Sequence, residues 1–112
     1  MSFLREFQYE VEKGAEFLDA QKPGWEKKIN PELLDLSHSC KCILGQVYGD
    51  YGDGFVELGL SQVEDRAALG FTIDQRALAV KRSFTPLTRE WLLYLAERAA
   101  APFKAAAKKV RK

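Results

Sequence analysis

"SHSCKCILGQVYGDYGDG", residues 37–54, decides the fold: it reads as a metal or thiol site, as a phosphate loop, or as a helix that ends in a turn. It holds the only histidine, both cysteines and four of the eight glycines. Cys40, Ile43, Leu44, Val47, Tyr48 and Tyr51 recur at helical spacing, and Ser37 is a good N-cap type. Gly49, Gly52 and Gly54, interleaved with Asp50 and Asp53, supply the left-handed positions that close a helix. The stretch therefore predicts a core helix over Ser37 to Gly49 followed by a glycine turn. Leu44 and Val47 fall in its core, Cys40 packs as a small hydrophobe, and Gly45 and Gly49 admit a neighbouring helix or ring.

The competing chemistries fit less well. His38, Cys40 and Cys42 are three soft ligands, but a structural zinc needs four, and the chain has no other His or Cys. Asp35, Asp50 or Asp53 would have to complete the set, and Cys40 and Cys42 sit about 200° apart on a helix. No metal and no cofactor is expected. His38 and Cys42 form an i, i+4 pair near a helix N-terminus, where a thiol pKa falls. That couple has the makings of a nucleophile and base, yet nothing supplies an orienting group or an oxyanion hole. The glycine spacing matches neither G-x-G-x-x-G nor a P-loop, and the aspartates miss the EF-hand pattern. No catalytic residue is assigned, and an enzyme is not expected.

Outward from this segment, Phe3, Leu4, Phe7, Val11, Ala15 and Leu18 predict an amphipathic helix from about Ser2, a possible cap, to Ala20. Gly14 weakens it by about 1 kcal/mol relative to Ala, which is understandable if a neighbouring backbone comes close there. Lys22-Pro23-Gly24 stops it, and Trp25 to Ile29 form one short turn before Asn30-Pro31. Two short helical pieces follow, Phe55 to Leu58 and Gln62 to Leu69, the second capped by Ser61. Gly70-Phe71-Thr72-Ile73 and Leu78-Ala79-Val80 pair as a short hairpin across Asp74-Gln75-Arg76. The final helix is capped by Thr85 or Thr88, has Glu90 in its first turn, and buries Trp91, Leu92, Leu95, Ala96 and Ala99. Pro102 ends or kinks it.

A chain of 112 residues with 46% apolar and 29% charged residues is a single globular domain. The fold class expected is mainly α, a compact domain of about four helices with one short β-hairpin over residues 1–102, and then a basic tail over 103–112. A C-x-C pair is too close together to staple distant elements, which points to a reducing, cytoplasmic setting. The charged N-terminus is unlike a signal peptide, and no apolar run approaches a membrane span. The net charge of +1 hides an asymmetry. Residues 1–60 carry −5 and residues 61–112 carry +6, with Arg98, Lys104, Lys108, Lys109, Arg111 and Lys112 in the last fifteen positions and no acid among them.

The runs GAEFLDAQKPGWEKKINPELLDLS and CILGQVYGDY, with LGL and ALGF, resemble a group of small uncharacterised proteins of actinobacteria and their phages. The matching positions are Gly14, Ala15, Leu18, Asp19, Pro23, Gly24, Trp25, Cys42, Leu44, Gly45, Gln46, Gly49, Gly70 and Phe71. A weaker match covers Leu87 to Trp91, and the end beyond Pro102 lies outside it. The resemblance implies a phage or prophage setting and brings no activity. Of the two cysteines only Cys42 belongs to its motif.

The function expected is that of a small, non-enzymatic, cytoplasmic binding protein of a bacterial host cell, phage- or prophage-encoded, that contacts a host or phage macromolecule. Trp25, Gln46, Tyr48, Asp50 and Tyr51 are the residues expected to meet a protein partner or line a pocket. The alternative is nucleic-acid binding through Lys104, Lys108, Lys109, Arg111 and Lys112.

Overall fold

The computed structural model describes residues 6–73 and 84–110, with side chains as far as residue 100. Helix α1 is Gln8–Gln21, a single turn of 3-10 helix is Trp25–Lys28, α2 is Ile43–Tyr48, α3 is Tyr51–Glu57, α4 is Val63–Ala68 and α5 is Phe84–Val110. The chain is mainly helical, and no strand occurs among the described residues. Gly70–Ile73 are turn and irregular backbone. The other arm of the expected hairpin and its turn lie outside the described residues, as do Ser2, Arg111 and Lys112.

Helix α1 buries Val11, Gly14, Ala15 and Leu18, the i, i+3, i+4, i+7 stripe of an amphipathic helix. It begins at Gln8, because Phe7 sits at φ 70 in the left-handed region with its ring in the core. A bulky residue adopts that conformation only where packing holds it. The helix closes with Lys22 N–H donating to the Leu18 carbonyl at 2.7 Å.

The expected helix over Ser37 to Gly49 is shorter than its spacing predicts. Asp35 Oδ1 accepts from both Ser37 N–H (3.0 Å) and Ser37 Oγ (2.6 Å), and His38 Nδ1 accepts from Cys40 N–H at 3.1 Å. These side-chain bonds compete with helical pairing and hold residues 37–42 in turns. Cys42, not Ser37, is the N-cap of α2, its Sγ accepting from Gly45 N–H at 3.2 Å. Leu44 and Val47 are in the core as expected, but Cys40 is exposed. A Cβ at Gly45 would collide with the Ser39 carbonyl and the Cys40 backbone, so the folded-back turn, not another helix, occupies that space. Gly49, at φ 98, ends α2.

The glycines beyond it are helical rather than a turn. Asp50 caps α3 by accepting from Gly52 N–H (2.8 Å) and Asp53 N–H (3.4 Å), which offsets part of the cost of Gly52 and Gly54. Gly54 is buried against Leu44 and Tyr48, where α3 packs on α2. Helix α4 starts after Gln62 without a side-chain cap, so Ser61 does not serve as one.

Helix α5 begins at Phe84, earlier than either threonine cap would place it. Thr88 lies inside it and accepts from Leu36 N–H at 3.0 Å, and Glu90 is buried beyond the first turn. Its buried positions are Leu87, Glu90 and Trp91, with Leu92 and Leu95 partly covered; Ala96 and Ala99 are exposed. The helical backbone passes through Pro102 to Val110.

The core centres on Trp91. Its ring meets Trp25 edge-on at 5.9 Å and stacks on Phe71 at 6.0 Å, and its Nε1 donates to the Gly70 carbonyl at 2.6 Å. The same turn presses the Leu69 carbonyl onto α1 at Gly14, where a Cβ would collide with it. Helix propensity alone predicts that Gly14→Ala gains about 1 kcal/mol; the contact predicts a net loss. A denaturant melt in which Gly14→Ala matches or exceeds wild-type stability would contradict this packing.

Candidate functional site

Three elements meet beside Trp25. Arg98, four residues after Tyr94 on α5, reaches across to Asp19 near the end of α1. Its Nη1 and Nη2 donate to the two carboxylate oxygens at 3.1 Å and 2.6 Å. Nη1 also lies 3.3 Å from Tyr94 Oη, and the guanidinium stands over the Trp25 ring at 5.4 Å. Asp19 Oδ1 accepts from Trp25 Nε1 as well, at 2.9 Å. Glu26 completes the group, with Oε2 3.6 Å from Arg98 Nη2 and no hydrogen-bond donor of its own. The Arg98 hydrogen bonds hold the Asp19 carboxyl below its ordinary range, the Trp25 indole adds to this, and partial burial opposes it. Arg98 is correspondingly pushed further up, first by Asp19.

Next to this clamp a cleft of about 520 Å³ runs between the 26–31 segment and α5. Ile29, Pro31, Leu95 and Ala99 line it together with the charged Glu26, Lys27 and Arg98. A second cleft, of about 550 Å³, is lined by Leu34, Asp35, Ser37, Phe84, Thr88 and Leu92 among others.

The residues expected at a partner site are not gathered in either cleft. Trp25 is fully buried, edge-on to Trp91 and beneath the Arg98 guanidinium. Gln46 ties two loops together: Oε1 accepts from Asn30 N–H at 2.6 Å, while Nε2 donates to the Asn30 and Lys41 carbonyls. Tyr48 is half-buried with Lys22 Nζ 5.6 Å from its ring. Asp50 is the cap of α3, and Tyr51 Oη accepts from Arg66 Nε at 2.8 Å. Arg66 also lies 4.0 Å over Phe55 and donates to the Leu60 carbonyl, so this cluster locks α3 to α4. Lys104, Lys108 and Lys109 fall on the backbone of α5, in the part described without side chains.

The thiol pair does not form on a helix face. Cys42 is 2% exposed; burial pushes its thiol up, against the hydrogen bond from Gly45 N–H. A protonated, enclosed sulfur is the reverse of an activated nucleophile. Among the described residues no group of His, Cys, Asp and Glu is placed to hold a metal, and no helix is long and apolar enough to cross a membrane. Comparison with protein families, with curated proteins and with solved structures gives no match to this chain.

The Asp19–Arg98 pair was invisible in the sequence because 79 positions separate its members. Its one signal was an aspartate next to the Leu18 stripe, and Arg98 read as the first charge of the basic end.

Two outcomes are expected. A thiol reagent should titrate Cys40 in the folded protein and Cys42 only after unfolding; equal rates for both would contradict the burial of Cys42. Asp19→Asn should lower the melting temperature at pH 7. Because the folded-state pKa of Asp19 is depressed, its contribution is complete above the unfolded value of about 3.9 and is lost as pH falls through the folded value. The gap between variant and wild type should therefore narrow from pH 5 towards pH 3, and a pH-independent gap would mean that the charge plays no part.

Proposed function

We propose that this chain is a non-enzymatic binding protein of the bacterial cytoplasm, encoded by an actinobacterial phage or prophage, that contacts a host or phage protein through the cleft between residues 26–31 and α5. The observation that carries this reading is the cleft itself. Four of its seven lining side chains are apolar, and the one arginine among them is already committed to Asp19. Such a surface offers shape and apolar area rather than a reactive group, as interface cores do. Leu33, two residues beyond Pro31 in the chain, is a large apolar side chain left 52% exposed. The commitment of Asp50, Gln46 and Cys42 to caps and turns supports a binding role over a catalytic one.

Ala99→Arg places a long charged side chain in the cleft at an exposed helical position, where the cost to folding is within about 0.5 kcal/mol. The wild-type chain should retain a discrete protein from nuclease-treated actinobacterial lysate, and Ala99→Arg should lose it with an unchanged melting temperature. Retention by both would remove the cleft from the interface. Loss of all capture on nuclease treatment would transfer the function to nucleic acid.

A further inference from the structure

The two clefts share both of their walls. Leu95 and Ala99 of α5 line the one beside the clamp, and Thr88 and Leu92 line the other. Opposite α5, Ile29 and Pro31 belong to the first and Leu34 and Asp35 to the second, so the 26–37 segment runs antiparallel to the helix along both. Leu36 N–H donates to Thr88 Oγ1 at 3.0 Å and ties that wall to α5. On the helix, lining positions 85, 88, 92, 95 and 99 are separated alternately by three and four residues, which sets them on one stripe. The stripe is about 21 Å long.

Alternate three- and four-residue spacing is the seam on which a second helix packs, at a crossing angle near about 20°. An extended strand repeats every two residues and does not keep that register. Among the described residues the chain does not supply such a helix itself. Tyr9, Val56 and Leu93 are the large apolar side chains exposed on α1, α3 and α5, one on each, where a stripe needs several. The lining charges then give the sign of the occupant. Glu26 is paired with Arg98, Arg98 with Asp19, and Asp35 accepts from Ser37 in the field of Lys41. Lys27 and Arg89, both exposed, are the lining charges with no ion-pair partner among the described residues. They stand on opposite walls, and the part of α5 facing Lys27 is about eight residues, or about 12 Å, beyond Arg89.

We propose that the two clefts form one groove for an amphipathic α-helix of the partner protein, about four turns long, whose apolar stripe is flanked by acidic side chains that meet Lys27 and Arg89. This rests on the reading of the cleft as a protein interface and adds the second cleft, the helical form and the sign of the partner's charge. Apolar burial along the stripe supplies affinity, and the two cations fix orientation and reject basic helices.

The test is fluorescence anisotropy of the full chain with three labelled peptides of about 15 residues. The first has Leu at the seam positions and Glu on the flanks, the second has Lys in place of Glu, and the third scatters the leucines of the first around the helix. The Glu peptide should bind about tenfold or more tighter than the Lys peptide, and the scattered peptide should not bind. Ala99→Glu and Arg89→Glu, one at each end of the groove, should each weaken the Glu peptide about tenfold. Lys27→Glu combined with Arg89→Glu should reverse the order of the Glu and Lys peptides at an unchanged melting temperature. Loss with Ala99→Glu but not with Arg89→Glu would end the groove at the first cleft and overturn the proposal. Equal binding of the Glu and Lys peptides, or no reversal in the double variant, would overturn the acidic partner. Self-association of the chain that the Glu peptide displaces would give the groove to a second copy and overturn it as well. Failure of all three peptides, while Ala99→Arg still abolishes capture of a protein from lysate, would remove the helical occupant and leave the interface standing.

Discussion

The fold depends on one close approach. At Gly14 the backbone of α1 has no side chain, and the Leu69 carbonyl occupies the space a Cβ would fill. That carbonyl belongs to the turn closing α4, and the next residue, Gly70 at φ 71, accepts the indole hydrogen bond of Trp91 from α5. Three helices are thus brought to one point. Trp91, fully buried, then organises Trp25 and Phe71 around itself. A larger residue at position 14 would push the α4 turn outward and separate the indole from its acceptor. An unpaired indole N–H at this depth costs about 1–3 kcal/mol, a large fraction of a small domain's stability.

The Arg98 clamp builds outward from that centre. Trp25 is held edge-on to Trp91, and its Nε1 fixes Asp19, which in turn receives Arg98 in a two-pronged pair. Bidentate geometry with an aromatic face beneath is where arginine differs from lysine. The pair is partly exposed, so its free energy is modest, but it sets the position of α5 against the end of α1. The cleft beside it has a defined shape because its arginine wall is pinned. The same pairing removes one charge from the basic end of the sequence.

Much of the polar chemistry in the 37–54 segment is structural. The Cys42, Asp50 and His38 side chains there accept from backbone N–H groups that short helices and turns leave unpaired. Residues of these types attract functional readings because they are versatile donors and acceptors. From α2 to α4, where helices of six and seven residues alternate with turns, that versatility is used to end and begin elements.

The helical character of the chain was legible in the spacing of apolar residues, as were the breaks at Lys22-Pro23-Gly24 and Asn30-Pro31, and the burial of Leu44, Val47 and Trp91. These follow from local periodicity and backbone sterics, which a sequence carries in full. The close approach at Gly14 was anticipated as well, though not its partner. Tertiary structure alone decided that Ser37 is held by Asp35 rather than capping α2, and that Cys40 is outside while Cys42 is within. It also decided that Trp25 is core, and that Arg98 pairs with Asp19. Each of these turns on a competition between acceptors or on two residues far apart in the chain, and periodicity is blind to both.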